Sequence, residues 1–352
     1  MITNERNHLF ETLSFDIITT EKQTMIIPIF SESLPAWAWA IIIVVLVTIV
    51  IPGIPMLTIV PNAVTKIILA RTKPSKFSRD EPSDRKNEDM LYMWGEALKF
   101  REENKDKEED VRVVTEDGLH LAGLYYDFKG DTAVIILPGR PETCIYSLYY
   151  GISYARAGVN VMVIDSRAHG ESEGYWTGCG YAEQLDILAF AKYLHEEKGI
   201  NKIVLHGICV GSSAVAHCAA RKDLPPYIVG VVTDGLYATY YESLKIRIRK
   251  NGGMVYPGVW AFRSAIKKLY QYDVKKDGPI NAVKNIRVPM MMIASKEDIY
   301  SLPRNTQLLF DNLASSDKQL QWWEHGMHSH LRSFDTERYD KVIADFVAKF
   351  QK

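Results

Sequence analysis

The five residues Gly207-Ile208-Cys209-Val210-Gly211 decide the fold. They follow the apolar run 203–206, which reads as a buried strand, and open the stretch 210–221, which reads as a helix. A turn this sharp strains the residue at its tip, so the positions two before and two after it must be small. Gly207 and Gly211 meet that need. The tip residue, Cys209, is thereby lifted to a helix N-terminus, where a thiol of ordinary pKa near ~8.5 is pulled down, the more so beside an imidazolium. A buried structural cysteine is the commoner fate of a free thiol. The strand–turn–helix setting is what favours the functional reading.

On both sides of this turn the chain alternates between strand and helix. Segments 111–115 and 119–126 flank Asp117-Gly118, a hairpin turn. Short apolar runs follow at 133–137, 160–164, 202–206, 228–232, 290–294 and 319–322, separated by helical stretches, notably 181–198, 210–221, 304–313 and 338–349. This order predicts a mostly parallel sheet covered by helices on both faces. Residues 235–285 interrupt it. They are rich in Tyr and Trp, too long for a crossover, and read as an inserted helical lid.

A second motif, Asp165-Ser166-Arg167-Ala168-His169-Gly170-Glu171-Ser172, follows the strand ending at Ile164. Together with the elbow, it resembles the α/β-hydrolase superfamily, in which Gly-x-nucleophile-x-Gly usually carries serine and Asp-x-Arg-x-His-Gly-x-Ser is a structural loop. The resemblance covers about residues 111–352 and implies the rest of a site. Leu137-Pro138-Gly139-Arg140 stands where relatives read His-Gly, which implies the backbone N–H of Arg140 as one oxyanion-hole donor and that of Val210 as the other; Pro138 departs from the pattern. Ser295-Lys296-Glu297-Asp298 resembles the turn bearing the acid, implying Asp298, with Asp234 in reserve. Glu324-His325-Gly326-Met327-His328-Ser329-His330 aligns His328 as the base. The order nucleophile, acid, base is that of this fold. Cysteine at the elbow is similar to dienelactone hydrolase, although the N-terminal region is not.

Other readings compete. Asp298 would serve equally to cap the next helix, and His325, His328 and His330 would be a metal site if a carboxylate or cysteine accompanied them at useful spacing; none does, so no metal and no cofactor is expected. His169, His206 and His217 read as packing residues.

The 352-residue chain, with 47% hydrophobic and 24% charged residues, is long and apolar enough for a sizeable core, and its net charge of −1 argues against a nucleic-acid partner. Residues 36–60 contain no charged side chain and are long enough to cross a bilayer, with Trp37 and Trp39 at one edge and Pro52, Gly53 and Pro55 set to interrupt the far third. Lys66, Arg71, Lys73, Lys76 and Arg79 follow, which orients the C-terminal domain to the cytoplasm. Four cysteines scattered without paired spacing suit a reducing compartment. The expected organisation is a polar segment 1–35, a transmembrane helix 36–60, a juxtamembrane helix or linker 61–110, and the hydrolase domain 111–352. Interleaved aromatic and basic residues in the lid suit anionic lipid and an acyl chain, or simply a solvated basic face. The function expected is a membrane-anchored hydrolase of a lipid-like ester or thioester, acting through Cys209, His328 and Asp298 and a thioacyl-enzyme. The alternatives are a non-catalytic membrane receptor or scaffold, and an acyltransferase.

Overall fold

The computed structural model describes residues 34–51 and 77–351, with isolated positions between them. The expectations for segment 1–33, for Pro52 and for Lys73 and Lys76 lie outside the described residues. Two units are distinguished, residues 1–53 and 54–352.

In the first unit, helix α1 (Ala36–Val45) continues into a π-turn, Leu46–Val50, and buries none of its side chains. By length and composition the helical segment Ala36–Pro55 is long and apolar enough to cross a membrane.

The second unit is built on an eight-stranded sheet. Its strands are β1 (Glu108–Val114), β2 (His120–Tyr126), β3 (Thr132–Leu137), β4 (Asn160–Ile164), β5 (Lys202–Ile208), β6 (Ile228–Asp234), β7 (Met290–Ser295) and β8 (Lys318–Trp323). They lie in the order β1-β2-β4-β3-β5-β6-β7-β8; β1 and β2 are antiparallel to their neighbours and the rest are parallel. Both faces are covered, so central strands are apolar at every position rather than alternately. In β3, Val134 and Ile136 join the core on one face while Ala133, Ile135 and Leu137 join the other. The β1–β2 hairpin turns where Asp117-Gly118 predicts, with Gly118 at φ +85° and its N–H donated to Thr115 O.

Two helices differ from the sequence reading. Helix α2 (Glu88–Glu103), N-capped by Asn87 and acidic in its first turn, is no exposed linker. Its Met90, Met93, Trp94, Ala97 and Phe100 are buried in the core of the sheet unit, with Trp94 against the Tyr146 ring at 5.1 Å. The compact unit therefore starts well before residue 111. Helix α3 (Cys144–Arg156) had no sequence signal: its tyrosines, serines and glycine are indifferent helix formers, and Cys144 to Tyr154 are buried all round. Packing overrides propensity there. A Cβ on Gly151 would come within 2.8 Å of Val161 Cγ1, so glycine lets this helix lie directly on β4.

Helices α4 (Gln184–Glu196) and α5 (Val210–Ala219) follow β4 and β5. Between β6 and β7 the insertion consists of α6 (Tyr240–Lys250), α7 (Gly258–Tyr270) and the short α8 (Pro279–Ala282). After β7 come α9 (Pro303–Asn312), then β8, α10 (Leu331–Phe334) and α11 (Thr336–Val347).

The Asp165–Ser172 loop is an organising element. Asp165 accepts from Arg79 Nε at 2.6 Å and from the N–H groups of Cys144 and Glu171. Arg167 is buried between Asp186 of α4, at 2.7 Å, and Asp117 of the hairpin, at 2.8 Å. Burial pushes Asp186 up to about 7 despite the Arg167 guanidinium, so the pair offsets a desolvation cost rather than adding free stability. Breaking it is another matter. Asp186→Ala leaves the buried guanidinium only the half-exposed Asp117 and is expected to lower the unfolding free energy by about 3 kcal/mol, the low end for removing one partner of a buried pair. Urea unfolding followed by tryptophan fluorescence measures this, and a loss below about 1 kcal/mol would contradict the assignment.

Candidate active site

The elbow forms as its glycines require. Cys209 has φ 53° and ψ −108°, a strained backbone for a residue with a side chain. Its N–H is held by Asp234 O at 2.9 Å, and Ser212 Oγ donates to both Gly207 O and Asp234 O. A Cβ on Gly207 would lie 2.2 Å from Gly211 O, and one on Gly211 would lie 2.4 Å from Leu137 O. Neither obstacle is a flexible side chain. Gly207→Ala is thus expected to open the turn and abolish at least about nine-tenths of any activity that depends on Cys209, while also lowering thermal stability. Thermal melting and thiol-labelling kinetics of the variant would reveal an unchanged elbow if the expectation is wrong.

Around the sulfur the structure brings together the three residues that the sequence singled out. His328, in the loop after β8, engages Asp298 in the turn after β7 through Nδ1 and Oδ2 at 2.7 Å. The other Asp298 oxygen accepts from the N–H groups of Tyr300 and Ser301, at 2.7 and 2.8 Å. That fixes the carboxylate and leaves it one task, orienting the imidazole. Gly235, at the end of β6, lies under the ring: a Cβ there would meet His328 Cε1 at 2.8 Å. Tyr150 Oη donates to Ser329 O and anchors the same loop from α3. The second imidazole nitrogen, Nε2, is buried, has no nitrogen or oxygen partner among the described residues, and is left to the Cys209 thiol, with which the ring is coupled.

Charge coupling sets the protonation states. Burial alone would lower the His328 pKa, but the Cys209 thiolate and Asp298 carboxylate raise it to about 10. Burial alone would raise the Cys209 thiol, yet the His328 and Arg247 charges hold it below its ordinary value. Asp298 is likewise lowered against burial by His328 and its backbone donors. The two titrate as a pair. The coupling favours a thiolate beside an imidazolium over the neutral pair.

Asp234, the reserve acid, is occupied elsewhere. Its carboxyl accepts from Tyr339 Oη at 3.0 Å, burial pushes it up to about 7, and it makes no hydrogen bond to His328. Of the two expected oxyanion donors, Val210 directly follows Cys209 and Arg140 follows Gly139, which packs beside Cys209. Val210 is the first residue of α5, so its N–H has no partner within the helix. The Arg140 N–H has no hydrogen bond among the described residues, while its side chain turns away to Ala70 O and the Phe77 ring. A small cavity borders both segments, lined by residues 137–140 and by Val210 and Gly211; Cys209 is not part of its wall.

The remaining histidines stand apart. His325 pairs with Glu297 and His330 with Asp89, and no cluster able to hold a metal occurs among the described residues. His169 engages Arg167 O, His217 lies between Ser213 O and Asp277 O, and His206 is buried near Tyr154 and Tyr339.

Three residues at the site carry no sequence signal. Arg247 of α6 donates from Nη2 to Cys209 Sγ at 3.5 Å and lies over the Tyr300 ring at 4.1 Å. Tyr300 in turn meets the His328 ring edge-on at 5.4 Å. Glu142 crowds Gly139 beside Cys209: a Cβ on Gly139 would lie 2.6 Å from Glu142 Oε2 and 3.3 Å from Cys209 Cβ. None belongs to a motif, and only the path of the insertion and of the 139–143 loop brings them in.

Sheet order, elbow and covering helices define an α/β-hydrolase fold. A family model described as the alpha/beta hydrolase fold matches residues 132–260. The chain is similar to an esterase of Pyrococcus furiosus, with a TM-score of 0.60 and 19% identity over 72% of this chain and 96% of that one. It is also similar to an α/β hydrolase of a Penicillium species (TM-score 0.55, 17% identity, 69% and 99% covered). Among proteins compared by sequence, the Bacillus subtilis (strain 168) protein YqkD, itself uncharacterized, is 26% identical over 237 residues, which are 63% of this chain and 75% of that protein.

Proposed function

We propose that the chain is a membrane-anchored hydrolase of esters or thioesters that uses Cys209 as nucleophile, His328 as general acid and base, and Asp298 to orient the imidazole. The observation that carries this reading is the strained Cys209 elbow coupled electrostatically to a His328 ring fixed by Asp298 at 2.7 Å. The esterase-like fold agrees with it.

The chemistry follows from those atoms. The Cys209 thiolate adds to the acyl carbon, and the oxyanion formed is met by the N–H groups of Arg140 and Val210. As the tetrahedral adduct collapses, imidazolium Nε2–H gives its proton to the departing alkoxide or thiolate, leaving a thioacyl-enzyme and neutral His328. His328 then takes a proton from water, the hydroxide adds to the thioester, and collapse expels the thiolate and releases the acid. The resting pair is restored.

A lipid-like acyl substrate is favoured because the insertion carries exposed Met254, Tyr256 and Trp260 among lysines and arginines. Anchoring by Ala36–Pro55, with the catalytic domain in the cytoplasm, rests on the apolar helix and the basic residues after it. Release of acyl product from p-nitrophenyl esters and from acyl thioesters, parent against Cys209→Ala, tests the reaction. Resistance of the chain to alkaline carbonate extraction tests the anchor.

A further inference from the structure

Behind the expected oxyanion donors lies a cavity that the nucleophile does not reach. Its wall includes Gly139, Arg140 and Val210 and, from other parts of the chain, His169, Thr177 and Glu183. It has room for about one water molecule. His169 belongs to the Asp165–Ser172 loop after β4, and Thr177 to the segment leading into α4. Neither is part of the elbow.

Three atoms on these lining residues are buried and have no nitrogen or oxygen partner among the described residues: Arg140 Nε, His169 Nε2 and Thr177 Oγ1. Their roles follow from their chemistry. Arg140 Nε can only donate. His169 Nδ1 lies 2.9 Å from Arg167 O, which only accepts, so the ring proton is on Nδ1. Burial lowers the His169 pKa to about 4, which keeps the ring neutral near pH 7 and Nε2 a bare acceptor. Thr177 Oγ1 can donate or accept. Glu183 is already engaged, through Oε1 with the N–H of Gly178 at 2.7 Å and through Oε2 with that of Gly180 at 2.9 Å.

A single occupant must therefore accept from a guanidinium and donate to an imidazole. A cation would face the Arg140 charge with nothing to accept by, a halide has no proton for Nε2, and an apolar guest satisfies neither. Water does both, and a buried water ordinarily makes two to four such bonds. The consequence reaches the oxyanion loop. Pro138 brings that loop neither a polar side chain nor an N–H, and the Arg140 side chain otherwise holds only Ala70 O, at 3.3 Å, and the Phe77 ring. A water shared with His169 and Thr177 ties Arg140 to two further segments, and so steadies the residue whose N–H is to meet the oxyanion.

Resting on the Cys209 reading above, we propose that this cavity is a water site, and that His169 and Thr177 are positioning residues acting through the bound water on Arg140 and its oxyanion N–H. Neither touches the acyl group.

A crystal structure of the full-length protein in detergent, at a resolution that shows ordered solvent, is expected to hold one solvent peak within hydrogen-bond distance of Arg140 Nε, His169 Nε2 and Thr177 Oγ1. Thr177→Val replaces the hydroxyl by a methyl group and is expected to expel the water, whereas Thr177→Ser should retain it. Kinetics read the effect on the loop. Oxyanion donors act in the transition state, so Thr177→Val should lower kcat for a p-nitrophenyl ester roughly ten-fold at unchanged KM, and Thr177→Ser should keep the parent rate. His169→Phe, which removes the acceptor, should reproduce both results. Alkylation of Cys209 by iodoacetamide passes through no oxyanion and should keep the parent's rate in every variant. A parent structure without the solvent peak overturns the water site. A peak that survives Thr177→Val, a lost peak with unchanged kcat, or alkylation slowed as much as turnover overturns the positioning role. A peak in a parent that turns over no ester leaves the water site standing and sinks the hydrolase reading, and the positioning role with it.

Discussion

Cys209→Ala is expected to lower kcat/KM for acyl esters and acyl thioesters by at least about 10³-fold, because no bond to the acyl carbon can then form and only binding and the oxyanion donors remain. The variant should fold. Alanine keeps the Cβ at the strained tip and the Cys209 N–H bond to Asp234 O, and it removes only one sulfur from a site already 8% exposed. Melting curves within a few degrees of the parent, together with lost turnover, are the expected pair of results. Unchanged turnover would mean that the elbow is a structural relic, as in a receptor or scaffold that keeps this fold.

His328→Gln should be nearly as damaging, with kcat reduced by about 10³-fold, because the proton given to the leaving group and the proton later taken from water both pass through this ring. It carries a second signature that loss of packing would not produce. The imidazolium is the first of the charges holding the thiol below its ordinary value against burial. Removing it leaves burial to push the thiol up, opposed only by Arg247. Alkylation of Cys209 by iodoacetamide at a pH below the ordinary thiol range should then become slower than in the parent and recover only as the pH rises past that range. The direction is fixed by sign: a thiol with depressed pKa reacts at lower pH, and relief of the depression moves the profile upward. A profile that does not move would separate His328 from the thiol.

Much of this site is written locally. The elbow needs Gly207 and Gly211 within a few residues of Cys209, and the acid and base each sit just beyond a strand whose apolar run is plain. The resemblance of these turns to the superfamily pattern therefore points to Asp298 and His328, with Asp234 in reserve; the buried Tyr339 hydroxyl that occupies Asp234 lies 105 residues away and is invisible to such reasoning. Helix α3 escaped because its tyrosines, Gly151 and serines owe their helical state to burial on β4 and against α2, which propensity does not express. Helix α2 reads from sequence as a juxtamembrane helix or linker outside the domain, and nothing local shows that its apolar face packs into the core of the sheet unit. Arg247 is the most consequential omission. It is one of many basic residues in the insertion, and nothing in their spacing marks the one that reaches the sulfur.

The central claim is that Cys209 carries the acyl group. The most direct measurement is acid-quenched peptide mass spectrometry of the full-length protein mixed rapidly with a p-nitrophenyl ester, read together with the burst of p-nitrophenol. The account predicts one acyl group on the peptide containing Cys209, formed in step with the burst, lost on longer incubation, and absent from Cys209→Ala. Turnover with Cys209 unmodified, or acylation at another residue that persists in Cys209→Ala, would contradict it.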